Sequence, residues 1–266
     1  MDNGIILGRW EEVVPSLPDD SIKLVVIDPP YGCTPHLWDK RPYWSFFMTE
    51  MARLCGDEGQ MWIFVRMPWS IEVHMAAIAA GWRYVQERIW QKQNGSGTTV
   101  RTFRKIHENI WHFKRPKATT FNLQSIREPK ASVGDKSIKA GKGYASVQYM
   151  SRKTAYADDG MRLPKSVVFC PNLHQSTESL GHPTQKPEAV IRPLILYSSN
   201  PGDFVLDPCC GTGTTLKVAR DVGRRWIGIE KMTEWHQKAK GRLCLPTQDL
   251  VAIGGVKGTD GLSGEE

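Results

Sequence analysis

Leu24-Val25-Val26-Ile27 is a run of four aliphatic residues, preceded by Asp20-Ser21 and closed by Asp28-Pro29-Pro30-Tyr31. A short β-branched run ended by prolines, which cannot continue a central ladder, predicts a buried strand that stops at Asp28. Asp28 then sits at a carboxyl end of the sheet, where open α/β sheets bind ligands. Each proline lacks an N–H and holds φ nearly fixed, so the turn can keep a carboxylate and a backbone carbonyl at a set separation. Tyr31 adds a ring for stacking. The group suits a planar substrate bearing an amine, although the motif alone reads first as a stiffened turn with an incidental acid.

The rest of the first third alternates in the same manner. Ile5-Ile6-Leu7 and Met61-Trp62-Ile63-Phe64-Val65 read as strands, and residues 43–54 and 70–80 as helices. Such alternation predicts a doubly wound, mostly parallel sheet. Strands at 83–90 and 108–113, separated by the turn-rich Gln93-Asn94-Gly95-Ser96-Gly97, complete that half. Ser166-Val167-Val168-Phe169 resumes the apolar pattern, and residues 187–198 read as a helix with Pro187 suited to its first turn.

A second informative stretch closes the pattern. Asp203-Phe204-Val205-Leu206-Asp207 is a strand leading into Pro208-Cys209-Cys210-Gly211-Thr212-Gly213-Thr214-Thr215, residues 216–223 form the helix behind it, and Arg225-Trp226-Ile227-Gly228-Ile229-Glu230 is a strand ending in an acid. Strand, glycine turn, helix and acid-tipped strand make the nucleotide-binding half of a Rossmann-like sheet, the acid accepting from ribose hydroxyls. The turn lacks the third glycine of the dinucleotide fingerprint and the Gly-Lys-Ser/Thr of a phosphate loop, so pyrophosphate is poorly supported. Asp207 suits a cationic ligand. S-adenosylmethionine, with its α-amino group, sulfonium and ribose, meets these features; a different nucleotide or a purely structural turn is the alternative.

Charge locates a third region. Residues 115–165 hold 11 of the 35 Lys/Arg and 4 of the 28 Asp/Glu, leaving 24 of each sign elsewhere, so the whole net charge of +7 resides there. A basic segment is often only a solvated loop. Phe121, Tyr144, Tyr149 and Tyr156 interleave with Lys136, Lys139, Lys142, Arg152 and Lys153, which favours a nucleic-acid surface of cations and stacking rings. The six cysteines show no Cys-x-x-Cys spacing, the N-terminus carries neither a basic region nor an apolar stretch, and no apolar run approaches eighteen residues. A reducing compartment, no structural metal, no secretion and no membrane insertion are the expectations. The glycine-rich residues 246–266 read as a disordered tail.

With Asp28-Pro29-Pro30-Tyr31 first, a basic segment next and the Asp207 glycine turn last, the chain resembles the β-group of DNA amino-methyltransferases. The resemblance runs from about residue 5 to 244 and includes His182-Pro183-Thr184-Gln185-Lys186-Pro187, Glu87-Arg88-Ile89-Trp90-Gln91-Lys92 and His107-Glu108. It implies a Rossmann-like catalytic domain over 1–114 and 166–245, with the motif order permuted and a target-recognition insertion at 115–165. Asp28 and the Pro29 carbonyl would accept the two N–H groups of an exocyclic amine, Tyr31 would stack on the base, and Trp90 would shape its pocket. Asp207, Pro208, Cys209, Gly211, Gly213, Thr214, Thr215 and Glu230 would hold the methyl donor, with Thr184, Gln185 and Lys186 at its methionine carboxylate. The implied partner is double-stranded DNA, with a homodimer and a cognate restriction nuclease as further partners, in the cytoplasm of a bacterium or encoded by a phage.

Asp rather than Ser before Pro-Pro-Tyr implies adenine N6 over cytosine N4. RNA or protein-amide methylation is a further alternative, against which the motif order speaks. A catalytically silent DNA-binding protein of the same fold is another. Three departures from the family stand out: Cys209 stands where Phe is usual, Gly8-Arg9 lacks the acid that often follows that glycine, and Cys210 and Thr212 replace small residues. Pro208-Cys209 also matches the nucleophile dipeptide of carbon-5 cytosine methylases, but it lies in the glycine turn. Trp62 is expected in the core, and Trp38 and Trp44 near the pocket.

Overall fold

The computed structural model describes residues 1–33, 39–96, 103–129, 161–173 and 176–244. The basic candidates Lys136, Lys139, Lys142, Arg152 and Lys153, together with Trp38 and the 246–266 tail, lie outside the described residues.

The described strands are β1 (Gly4–Leu7), β2 (Leu24–Ile27), β3 (Gln60–Val65), β4 (Arg83–Ser96), β5 (Lys105–Lys114), β6 (Glu128–Pro129), β7 (Met161–Arg162), β8 (Val167–Phe169), β9 (Phe204–Asp207) and β10 (Arg225–Glu230). Eight of them form one sheet in the order β1-β10-β9-β2-β3-β5-β4-β8, and β6 pairs with β7 apart from it. Within the large sheet the two ladders made by β5 are antiparallel, and the other five described pairings are parallel.

Helices cover both faces because the central strands are apolar on both. Val25, Ile27, Met61 and Ile63 point to one side and Leu24, Val26, Trp62 and Phe64 to the other, the alternation a pleated strand imposes. The first side receives α1 (Trp10–Val13), α2 (Trp44–Cys55) and α3 (Ser70–Ala79). In α2 the buried set Trp44, Phe47, Met48, Met51, Leu54 and Cys55 recurs at helical spacing. The second side receives α4 (Glu188–Ser198) and α5 (Thr214–Asp221), while α6 (Thr233–Cys244) packs on β1, β10 and α5.

The stretch expected as a turn at 93–97 is instead strand through Ser96, which pairs with Lys105. A Cβ at Gly95 would overlap Arg104 and the Lys105 carbonyl, so the glycine serves close approach of the neighbouring strand rather than chain reversal. The first described residues of the basic segment lie against the body: Arg115 donates to the Gly56 and Ala80 carbonyls at 2.7 Å each, and Asn122 Nδ2 to Ser199 O at 2.8 Å. None of the described helices is long and apolar enough to cross a membrane.

Candidate active site

Parallel strands point their carboxyl ends to one edge of the sheet, and a cavity of about 740 Å³ opens there. Its wall takes Gly8 after β1, Asp28 after β2, Arg66 after β3, Asp207 at the end of β9 and Glu230 at the end of β10. The two motifs at opposite ends of the sequence therefore share one space. Pro29, Pro30, Tyr31, Trp90, Thr184, Gln185, Lys186, Pro208, Cys209, Gly211, Thr214 and Thr215 line it as well.

Asp28 is held from two directions. Tyr31 Oη donates to its Oδ1 at 3.0 Å, and the Lys186 ammonium pairs with its Oδ2. Burial pushes the Asp28 carboxyl up against the opposing pull of Lys186. Burial also pushes the Tyr31 phenol well up, with Asp28 adding to it, so Tyr31 remains a donor. For Lys186, burial pulls downward, but Asp28 and Glu108 outweigh it and keep the ammonium above the usual lysine range. Its charge is paired with Asp28 in this structure, whereas the resemblance implied a place at a cofactor carboxylate.

At the glycine turn, Cys210 N donates to Ile229 O at 2.9 Å and Gly211 N to Glu230 Oε2 at 2.9 Å, folding the turn back over β10. Gly211 and Gly213 take φ of +52° and +75°, which L side chains rarely adopt, and Gly213 caps the start of α5. Asp207 Oδ1 accepts from Cys209 N at 3.1 Å. Even so, burial lifts the Asp207 carboxyl to about 7; Thr215 and the Cys209 amide oppose the rise, whereas Asp28 and Glu230 add to it. Glu230 is likewise raised by burial, despite accepting from Gly211 N and Met232 N. Thr214 Oγ1 accepts from Arg242 Nη1 at 2.9 Å and so is engaged by α6.

Cys209 is half-buried on the cavity wall, and burial followed by Asp207 raises its thiol well above the ordinary range. A neutral thiol is a poor nucleophile. Arg9 leans on Glu11 and Glu12 at 3.3 and 3.8 Å, and Glu11 lines the cavity, so this end carries a carboxylate two positions beyond the expected one. Gln185 uses its amide on the loop itself, accepting from Leu180 N and donating to Glu178 O. Thr184 N and Oγ1 both approach His182 Nδ1.

Trp90 is buried, donates to Cys170 O at 2.8 Å and presents part of its ring to the cavity. Trp62 is core, stacked on His112 with ring centroids 4.2 Å apart. Trp44 was expected near the pocket but packs edge-on against Phe47 and stays off the cavity wall, because its place on the buried stripe of α2 turns it inward. The structure also brings in residues that the sequence pattern did not place: Lys92, Glu108, Lys40, Arg41, Arg66 and Lys105 all line the cavity. Lys92 and Glu108 lie inside motif stretches already noted, which was the only signal for them.

A family model described as DNA methylase matches residues 22–241. The chain is 32% identical over 255 residues, 91% of its length and 74% of the relative's, to the type II methyltransferase M.HpaI of Haemophilus parainfluenzae. It is 29% identical over 233 residues, 82% and 88% of the two chains, to the type II methyltransferase M1.MboII of Moraxella bovis. Among solved structures, an M1.HpyAVI–SAM complex superimposes with a TM-score of 0.65 at 23% identity, covering 92% of this chain and all of that one. A cytosine-N4-specific PvuII DNA methyltransferase gives 0.65 at 15% identity over 96% and 92%.

Proposed function

The chain belongs to the N6/N4 DNA methylase family, and on that premise we propose that it methylates the exocyclic N6 amine of an adenine flipped out of double-stranded DNA, with S-adenosylmethionine as donor. The observation that carries the proposal is that Asp28 and Asp207 face one cavity.

The donor set fits a cationic cofactor. Asp207, Glu230 and Glu11 line the glycine-turn side of the cavity with Lys231, and the charged groups acting most on the buried Asp207 carboxyl are the acids Asp28 and Glu230. An α-amino group there would give this acid-rich side a counter-charge. Glu230 would take ribose hydroxyls, and the left-handed glycine at 211 keeps the turn's backbone open to a ligand. Bound in this way, the cofactor supplies an electrophilic methyl group on a sulfonium centre.

The chain's own residues prepare the amine. Delocalisation into the ring makes the amino nitrogen a weak nucleophile. Asp28 and the Pro29 carbonyl accept its two N–H bonds and draw its lone pair out of conjugation, an effect of positioning and electrostatics. Tyr31 tethers Asp28 and offers its ring to the base. Asp28, whose proton affinity burial raises, would accept the proton that the amine sheds. Extruding the base costs a few kcal/mol, and phosphate contacts from Lys40, Arg41, Arg66 and Lys105 at the cavity, with those of the 115–165 segment, offset it.

Asp28 before Pro-Pro-Tyr supports adenine. The test is incubation with labelled cofactor and unmethylated DNA, followed by mass spectrometry of the nucleosides: N6-methyladenine is expected, and N4-methylcytosine would move the assignment to cytosine. The proposal includes a bacterial or phage-encoded cytoplasmic enzyme, a homodimer measurable by light scattering, and a cognate nuclease cutting the same unmethylated site.

A further inference from the structure

Four side chains alternate in sign along one wall of the cavity. Lys92 of β4 pairs with Glu108 of β5, Glu108 Oε2 lies 3.5 Å from Lys186 Nζ, and Lys186 pairs with Asp28. All are largely withdrawn from water, with side chains 16%, 23%, 8% and 19% exposed from Lys92 to Asp28. Each ion so placed loses several kcal/mol of hydration, and apolar side chains would pack as well. The row therefore needs a reason other than stability.

That reason lies in Asp28, which grips an N–H bond only when ionised. Val26, Phe64 and Trp90 surround the same cavity, and such walls favour the neutral acid. Among the described residues, the groups with the strongest link to Asp28 are Tyr31 from its own turn, Lys186 from the loop before α4, Glu108 from β5 and Asp207 from β9, while Arg66, Lys92 and Lys105 line the same cavity. Glu108 and Asp207 are anions that oppose its ionisation. Lys186 is the cation paired with it, and it also donates to the Thr184 carbonyl at 3.2 Å. Glu108, tied by Lys92, is the second anion on Lys186 and holds burial from stripping its proton.

We propose that Lys186 and Glu108 are positioning residues for Asp28: Lys186 keeps the acceptor carboxylate ionised and fixes one of its oxygens, and Glu108, anchored by Lys92, keeps Lys186 charged and in place. This rests on the reading of Asp28 as the acceptor of the target amine. It moves Lys186 from the cofactor side of the site to the base side.

The test is carboxyl titration by NMR of cofactor-free protein labelled with ¹³C at aspartate Cγ, the Asp28 signal being the one absent from Asp28→Asn. Lys186→Met should raise the Asp28 midpoint by about one to three pH units, and Lys186→Arg should keep it near the wild-type value. With lysine Cε labelled, Glu108→Gln should lower the Lys186 midpoint. In methylation assays the acid limb of kcat should move upward with Asp28 in Lys186→Met, while the affinity for S-adenosylmethionine stays within about threefold, less than the tenfold that one pH unit represents. An unmoved Asp28 midpoint in Lys186→Met overturns the inference, as does a midpoint that moves without the kcat limb. A large loss of cofactor affinity with an unmoved limb would return Lys186 to the methionine carboxylate. Absence of methylated product from the wild type would instead overturn the proposed function, which the cofactor-free titration does not require.

Discussion

Asp28 and Asp207 end neighbouring parallel strands, β2 and β9, and face the same cavity although they lie in the first and last quarters of the chain. The pairing of Leu24 with Val205 and Val25 with Leu206 sets this relationship. A one-residue slip of either strand would turn its terminal side chains to the opposite face. The two acids also act on each other, since Asp28 contributes to the raised proton affinity of Asp207.

Replacing Asp28 should separate chemistry from cofactor binding. Asp28→Ala should reduce methyl transfer by at least about a hundredfold, the scale of a lost acid–base group. Calorimetric affinity for S-adenosylmethionine should change little, because Asp207 and Glu230 remain. Turnover near the wild-type rate would remove the amine-gripping role.

Asp207 should couple stability and cofactor affinity to pH in opposite directions. Its folded carboxyl is raised from 3.8 to about 7, so between those values the folded chain holds a proton that the unfolded chain has lost. Stability should fall as pH rises from about 4 to 7, by up to about 4 kcal/mol in all, since one proton taken up on folding is worth roughly 1.4 kcal/mol over each pH unit. Asp207→Asn should therefore raise the melting temperature at pH 8 while weakening the cofactor. Wild-type cofactor affinity should tighten as the carboxyl ionises through about pH 7. A melting temperature lowered at pH 8 by Asp207→Asn would contradict the assignment.

Gly213→Ala should destabilise the cofactor turn. The backbone there has φ of +75°, and a Cβ would lie 3.2 Å from Ala239 Cβ on α6. Together, strain and crowding should cost about 1–3 kcal/mol in denaturant unfolding and weaken the cofactor as well.

DNA binding should lose salt dependence when the cavity cations are removed. In the Arg66→Gln/Lys105→Gln double variant the slope of log K against log salt should shrink by up to about 0.9 for each phosphate no longer neutralised. Neutralising Lys136, Lys139, Lys142, Arg152 and Lys153 together should flatten it further. An unchanged slope in the second variant would take that segment off the DNA surface.

Much of the fold was legible because each element carried its own local signal. The run 24–27 and the acid-tipped strand 225–230 have the same bounds in the structure as in the sequence pattern, since a β-branched stretch between turn residues leaves little choice. Helix α2 followed from its apolar spacing. The end of β4 was not legible: Asn94-Gly95-Ser96 reads locally as a turn, and the deciding fact was how closely Arg104 and Lys105 approach Gly95 from the adjacent strand. Helix α6 also went unread, because the polar Thr233–Cys244 stretch buries only His236, Ala239 and Arg242.

By itself the sequence determined the two motifs, their order and the strand ends on which they sit, because propensity, proline geometry and glycine conformation act over a few residues. Tertiary structure alone decided their convergence in one cavity, the inward turn of Trp44 and the partner of Lys186. Lys186 meets Asp28 across 158 residues of chain. Which carboxylate a buried lysine faces depends on the relative placement of β2, β5 and the loop before α4, and packing settles that placement while local pattern does not.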